Sequence, residues 1–250
     1  FYKSDGTTEL LRIHSDDTTN LFIGTNAGRV NSQTGGGNNG LHNVFIGSNS
    51  GYSNTTGAWN TAVGRLSLYS NTTGLDNTAV GFDALYSNTS GSYNLAIGLD
   101  ALYSNTTGNS NSAIGWGSLT SSTTGIENSA VGADTLNSNT TGYSNTAMGK
   151  SVLANSTSGY QNSAIGVEAL NKNKTGSGNT AAGYQAGYGV TAQSFSNNSL
   201  FGYQSGYVLT TGSNNMLFGY KAGDNLTTGS GNIVIGYDID APAVGSTQTL

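Results

Sequence analysis

The stretch NTAVGFDALYSNTSGSY, residues 77–93, decides the fold, because the chain repeats its pattern from end to end. Its opening Asn recurs every seventeen residues, at Asn43, Asn60, Asn77, Asn94, Asn111, Asn128, Asn145, Asn162 and Asn179. The series resumes at Asn198, Asn215 and Asn232 after one nineteen-residue unit, and an outlying copy opens at Asn20. A unit this short cannot bury a core alone, so the period predicts a solenoid stabilised by stacking coil on coil.

Counting from the Asn as position zero, position three is apolar in nearly every copy, as in Val63, Val80, Ile97, Ile114, Val131, Met148 and Ile165. Position four is Gly throughout, from Gly24 to Gly236, which marks a backbone path closed to a Cβ. NTAVG therefore reads as a short strand ending in a corner. Positions seven and eight, Ala84-Leu85 or Ala101-Leu102, are expected to start a second strand. The unit closes through SNTTG, rich in turn formers. Two strands and two turns per coil predict an all-β, flattened parallel β-solenoid. With coils roughly 4.8 Å apart, the recurring Asn is placed to form an amide ladder.

Position two is apolar as well. It is Ala62, Ala79, Ala96, Ala113, Ala130, Ala147 and Ala164 in successive coils, and enlarges to Phe22, Phe45, Leu200, Leu217 and Val234 near the ends. Positions one and three share a face and position two takes the other. A strand apolar on both sides is usually covered on both. Position three is assigned to the interior, and the Ala column to a seam between chains, with a homotrimer expected.

Charged residues make up 8% of the chain, about a third of the usual share, while Gly, Asn, Ser and Thr dominate. Apolar residues held at fixed repeat positions argue against disorder. The net charge of −5 and eight scattered Lys and Arg give no footprint for nucleic acid. Zero cysteines remove disulfides and thiol chemistry. No apolar run is long enough to span a membrane, so membrane insertion is not expected. The chain starts at Phe1 without Met and is expected to be a fragment of a longer protein. Residues 1–19 lack the repeat phase and read as a neck or connector strand; 20–242 form the repeat roll; 243–250 read as a linker. A GGGNNG segment at 35–40 is expected to protrude as a loop.

The phrases NTAVG, NLAIG, NSAIG and NSAVG resemble the head repeats of trimeric autotransporter adhesins, though the period here is longer. The resemblance implies a left-handed parallel β-roll in a trimer. The NTAVGxxAL–NTTG units also resemble repeats of bacteriophage tail-fibre-like proteins and related bacterial fibre adhesins. In that group such repeats often precede an endosialidase-type intramolecular chaperone, and GSGNIVIGYDIDAP (229–242) is similar to the junction ahead of it. These resemblances imply an extracellular fibre, cellular or virion-borne, that attaches to another cell.

No enzyme constellation emerges, and neither a catalytic residue, a metal nor a cofactor is expected. His14 and His42 lack zinc-ligand spacing. Carboxylates in the position-six column, Asp83, Asp100, Asp134 and Glu168, would lie about 4.8 Å apart in adjacent coils, near the spacing of retaining glycosidases. They follow the Gly corner, however, where a charge is simply solvated. Aromatic columns are the better lead: Tyr52, Tyr69, Tyr86 and Tyr103 at position nine, and Phe82, Trp116, Tyr184, Tyr203, Tyr220 and Tyr237 at position five. A ring beside polar side chains suits a sugar, with an apolar face and hydrogen-bonding neighbours. Trp116, Trp59, Tyr86, Tyr103 and Asp100 are the ligand-binding candidates. The expected function is adhesive display of such a surface, glycan-binding by preference. The alternative is a passive shaft or spacer with the binding tip elsewhere. A lesser alternative is an ice-binding solenoid, from the Thr column Thr55, Thr72, Thr89, Thr106, Thr123 and Thr140.

Overall fold

The computed structural model describes residues 19–32, 40–190 and 194–241. Apart from Thr19 and Gly40, the expected neck and the GGGNNG loop lie outside the described residues, as does the linker at 243–250. The chain divides into two compact units, Phe1–Thr124 and Gly125–Leu250. The first carries β1 (Leu21–Ile23), β2 (Val44–Ile46), β3 (Thr61–Val63), β4 (Thr78–Val80), β5 (Leu95–Ile97) and β6 (Ser112–Ile114). The second carries β7 (Ser129–Val131), β8 (Thr146–Met148), β9 (Ser163–Ile165), β10 (Thr180–Ala182), β11 (Ser199–Phe201), β12 (Met216–Phe218) and β13 (Ile233–Ile235). Within each unit consecutive strands pair in parallel and in repeat register, as in Ala62↔Ala79 and Ala147↔Ala164. There is no helix among the described residues. The fold is the parallel β-solenoid that the seventeen-residue period requires.

Among the described residues each coil holds one strand rather than two. In the coil opened by Asn94, the apolar pair Ala101-Leu102 lies in a run of overlapping turns, closed by Ala101 N–H to Gly98 C=O (3.4 Å), Tyr103 N–H to Asp100 C=O (3.3 Å) and Asn105 N–H to Leu102 C=O (3.1 Å). Asp100 and Leu102 adopt left-handed φ of 56° and 53°. This conformation costs an L-residue about 1–2 kcal/mol. Burying a Leu side chain returns about 1.5–3 kcal/mol, and Leu102 is fully buried. Its N–H is also paired with Ser118 C=O of the next coil at 3.0 Å. The turns thus join coil to coil through backbone bonds just as the strands do, and few main-chain groups are left for a second strand to satisfy.

The two faces of the strand are the reverse of the expected assignment. Ala62, Ala79, Ala96, Ala113, Ala130, Ala147 and Ala164 point into their own coil, and none is more than 1% exposed. They cannot form a seam between chains. Position three faces outward, with Ile97, Ile114, Met148, Ile165, Phe218 and Ile235 between 37% and 65% exposed. The physical reason is the width of the coil. Position-eight Leu residues such as Leu85 and Leu102 swing inward from their left-handed backbone and fill the space, leaving room only for Ala opposite. Where position two is Phe or Leu, position eight shrinks to Gly. Phe22 is matched by Gly28, Phe45 by Gly51 and Leu217 by Gly223. A Cβ on Gly51 would sit 2.5 Å from the Phe45 ring, and one on Gly28 2.7 Å from the Phe22 ring.

The expected amide ladder is present. Asn94 Nδ2 donates to Asn77 Oδ1 (3.1 Å) and to Gly108 C=O (2.8 Å), while Asn77 Oδ1 also accepts from Asn94 N–H (3.1 Å). A second ladder runs at position eleven through Asn54, Asn71, Asn88 and Asn105, with Nδ2–Oδ1 distances of 2.7–2.8 Å. It stops at Ser122, leaving Asn105 Oδ1 and Ser122 Oγ buried without partners. The invariant Gly of position four permits coil approach: a Cβ on Gly98 (φ 136°) would sit 2.5 Å from Gly115 C=O.

Candidate ligand-binding surface

Four rings of the position-nine column stack in the first unit: Tyr52 on Tyr69 (5.0 Å between centroids), Tyr69 on Tyr86 (5.1 Å) and Tyr86 on Tyr103 (5.2 Å), all within 15° of parallel. Parallel register brings the rings together, because each coil places position nine directly over the last. One end of this column is occupied by Arg29, whose guanidinium lies 5.3 Å from the Tyr52 centroid and bonds the Tyr52 hydroxyl. At the other end the next coil supplies Thr120 in place of a ring. The missing ring leaves an open hollow of about 410 Å³, lined by Phe82, Asp83, Asp100, Tyr103 and Thr120.

The walls of the hollow are chemically distinct. Phe82 is 42% exposed and carries the Arg65 guanidinium 5.1 Å from its ring centroid. Asp83 Oδ1 is buried and has no hydrogen-bond partner. Burial pushes the Asp83 carboxyl above its ordinary value, the Asp100 carboxylate adds to the rise, and Arg65 partly opposes it. Burial also raises the Tyr86 hydroxyl, with smaller contributions from Tyr69, Tyr103 and Asp83. Thr120 Oγ1 donates to Asp100 C=O at 3.3 Å.

Of the residues singled out from sequence, the structure brings Asp100 and Tyr103 together in this hollow, with Tyr86 stacked behind. Trp116, 56% exposed, and Trp59, stacked on His42 at 6.0 Å, lie outside its lining. Asp83 and Phe82 were visible only as members of their columns. Thr120 was missed, although its signal was present as the first interruption of four consecutive Tyr. In the second unit Tyr184, Tyr203, Tyr220 and Tyr237 stack at 4.9–5.3 Å, so their faces cover one another.

The Thr column is committed to the backbone. Thr72 Oγ1 donates to Thr89 C=O (2.9 Å) and Thr89 Oγ1 to Thr106 C=O (3.0 Å), which gives these hydroxyls partners within the stack. Among the described residues no group of three or more His, Cys, Asp or Glu is arranged to hold a metal ion. Comparison with protein families, with curated proteins and with solved structures found no match to this chain.

Proposed function

We propose that this chain is the repeat segment of a trimeric, extracellular adhesive fibre that displays weak glycan-binding sites for attachment to another cell. One observation carries the proposal: in both units position three of the outward strand face is an uncharged, exposed apolar column, including Ile97 and Ile114 in the first and Met148, Ile165, Phe218 and Ile235 in the second, beside mostly Ser and Thr at position one. Exposed apolar surface arranged contiguously marks an interaction site. A self-association seam at positions one and three therefore replaces the Ala seam expected from the sequence. Three copies of each weak site would give avidity without any single strong contact.

An adhesive role is favoured over a bare shaft by rings left open to solvent. Trp116 and Tyr93 are 56% and 62% exposed, and the Tyr52–Tyr103 column ends at a hollow. Light scattering of the purified chain tests the assembly, with a mass three times the 25.5 kDa chain expected. Ile165→Lys, which places a charge on the seam without touching the interior, is expected to dissociate it. A monomeric parent chain would sink the proposal. A glycan array then separates adhesin from shaft, since specific binding lost on Trp116→Ala requires a site on the roll.

A further inference from the structure

The ring column of the first unit has a cation on one end and an unfilled place at the other. Arg29 occupies position nine in the coil before Tyr52 and covers that ring. The same contact recurs with Arg65 over Phe82, Lys172 over Tyr188 and Lys221 over Tyr220. At Tyr103 the column supplies only Thr120, and Leu99 and Trp116 bring no positive charge to the neighbouring position-five column. What the hollow does supply is two carboxylates, Asp83 and Asp100.

We propose that this hollow binds an amino sugar, its ammonium seated between Asp83, Asp100 and the open face of Tyr103. The ammonium offers N–H donors to the carboxylates and a charge to the ring, a pairing that strengthens as water is excluded. The volume exceeds what an ammonium alone fills and lies within the range of small-molecule sites. A pyranose can lay its C–H face on the Tyr103 or Phe82 ring. The Thr120 hydroxyl and the remaining carboxylate oxygens then face the sugar hydroxyls. The inference rests on the adhesive reading and names its ligand class.

Saturation-transfer NMR on the full chain at pH 6 tests it, with methyl β-glucosaminide as probe and its N-acetyl counterpart as the uncharged control. The amine is expected to bind weakly, and the acetylated sugar several-fold more weakly. Asp100→Asn keeps shape and tolerates the left-handed backbone (φ 56°), and should weaken the amine about tenfold, the scale of one lost charge-assisted bond. Thr120→Tyr keeps both carboxylates and the Phe82 and Tyr103 rings but extends the ring column over Tyr103, and should abolish binding. Equal binding of the two sugars overturns the inference, as does amine binding unchanged in both variants, or no binding at all. The mass measurement is independent of these results, so a trimer without amine binding refutes the ligand and leaves the fibre standing.

Discussion

The reciprocal sizes of positions two and eight predict a compensating pair. In the coil opened by Asn94 the match is Ala96 with Leu102, both fully buried, whereas the coil opened by Asn215 uses Leu217 with Gly223. Ala96→Leu alone forces extra methylenes against Leu102 and should cost about 1–3 kcal/mol. Leu102→Gly alone opens a cavity worth about 2–5 kcal/mol, reduced by about 1 kcal/mol because Gly accepts the left-handed φ of 53° without strain. If the two acted independently the double variant would lose the sum, about 4–5 kcal/mol on mid-range values. Because the new Leu fills the space the old one leaves, the double variant should lose only about 1–2 kcal/mol, a coupling of about 2–3 kcal/mol. Guanidinium unfolding at one fixed protein concentration gives the four corners of the cycle, the fixed concentration removing any shift from self-association. Amide exchange at Ser104 and Thr106, which bond the next coil through Thr120 and Thr123, reports whether the loss is local, as nearest-neighbour coupling in a solenoid permits. Additive losses would refute the account of how the interior is filled.

Three further outcomes follow from the same geometry. Asn94→Ala deletes a rung, leaving the buried Asn111 N–H, which now donates to Asn94 Oδ1 at 3.0 Å, without that acceptor; a loss of about 2–4 kcal/mol is expected by the same denaturation assay. Ser122→Asn should extend the second ladder, the added amide donating to the orphaned Asn105 Oδ1 and raising stability by about 1 kcal/mol; a lower melting temperature would contradict it. Asp83 holds its proton more tightly folded than unfolded. Its favourable contribution is therefore complete below the ordinary value of 3.8 and is lost as pH rises through the raised folded value. Asp83→Asn should raise the melting temperature at pH 7, with the gap to the parent closing toward pH 3, as read by a pH series of thermal melts.

The repeat fixes more than its length. Asn at position zero and Gly at position four marked the strand, its parallel register and the amide ladder, because both residues answer to constraints between identical neighbours. The faces of the strand were not legible from that strand alone. With three residues and apolar side chains on both sides, size pointed to Val63 or Ile97 as interior and to Ala62 or Ala96 as seam, and size misled. The deciding residue lies six positions away: Leu68 or Leu102, aimed inward by a left-handed backbone that an Ala-Leu pair also disguised as a strand. The pairing of Phe45 with Gly51 and Phe22 with Gly28 carried the answer in the sequence, but only to a reader comparing positions within a coil. The hollow was half legible. Asp100 and Tyr103 stood out by type, whereas Thr120 matters through the ring it replaces.

Matching within a coil also bears on how such an array can be lengthened and shuffled. Unequal crossover between seventeen-residue units leaves the cross-section intact when the breakpoint falls outside the span from position two to position eight, since each large or small partner then travels with its mate. A breakpoint inside that span could join Phe45 to a Leu, producing a clash, whereas the Ala181 and Gly187 pair is filled by Leu170, Phe195 and Leu200 around it. Breakpoints in the Asn-Thr-Thr-Gly corners therefore disturb the interior least, because they keep positions two and eight of a coil together.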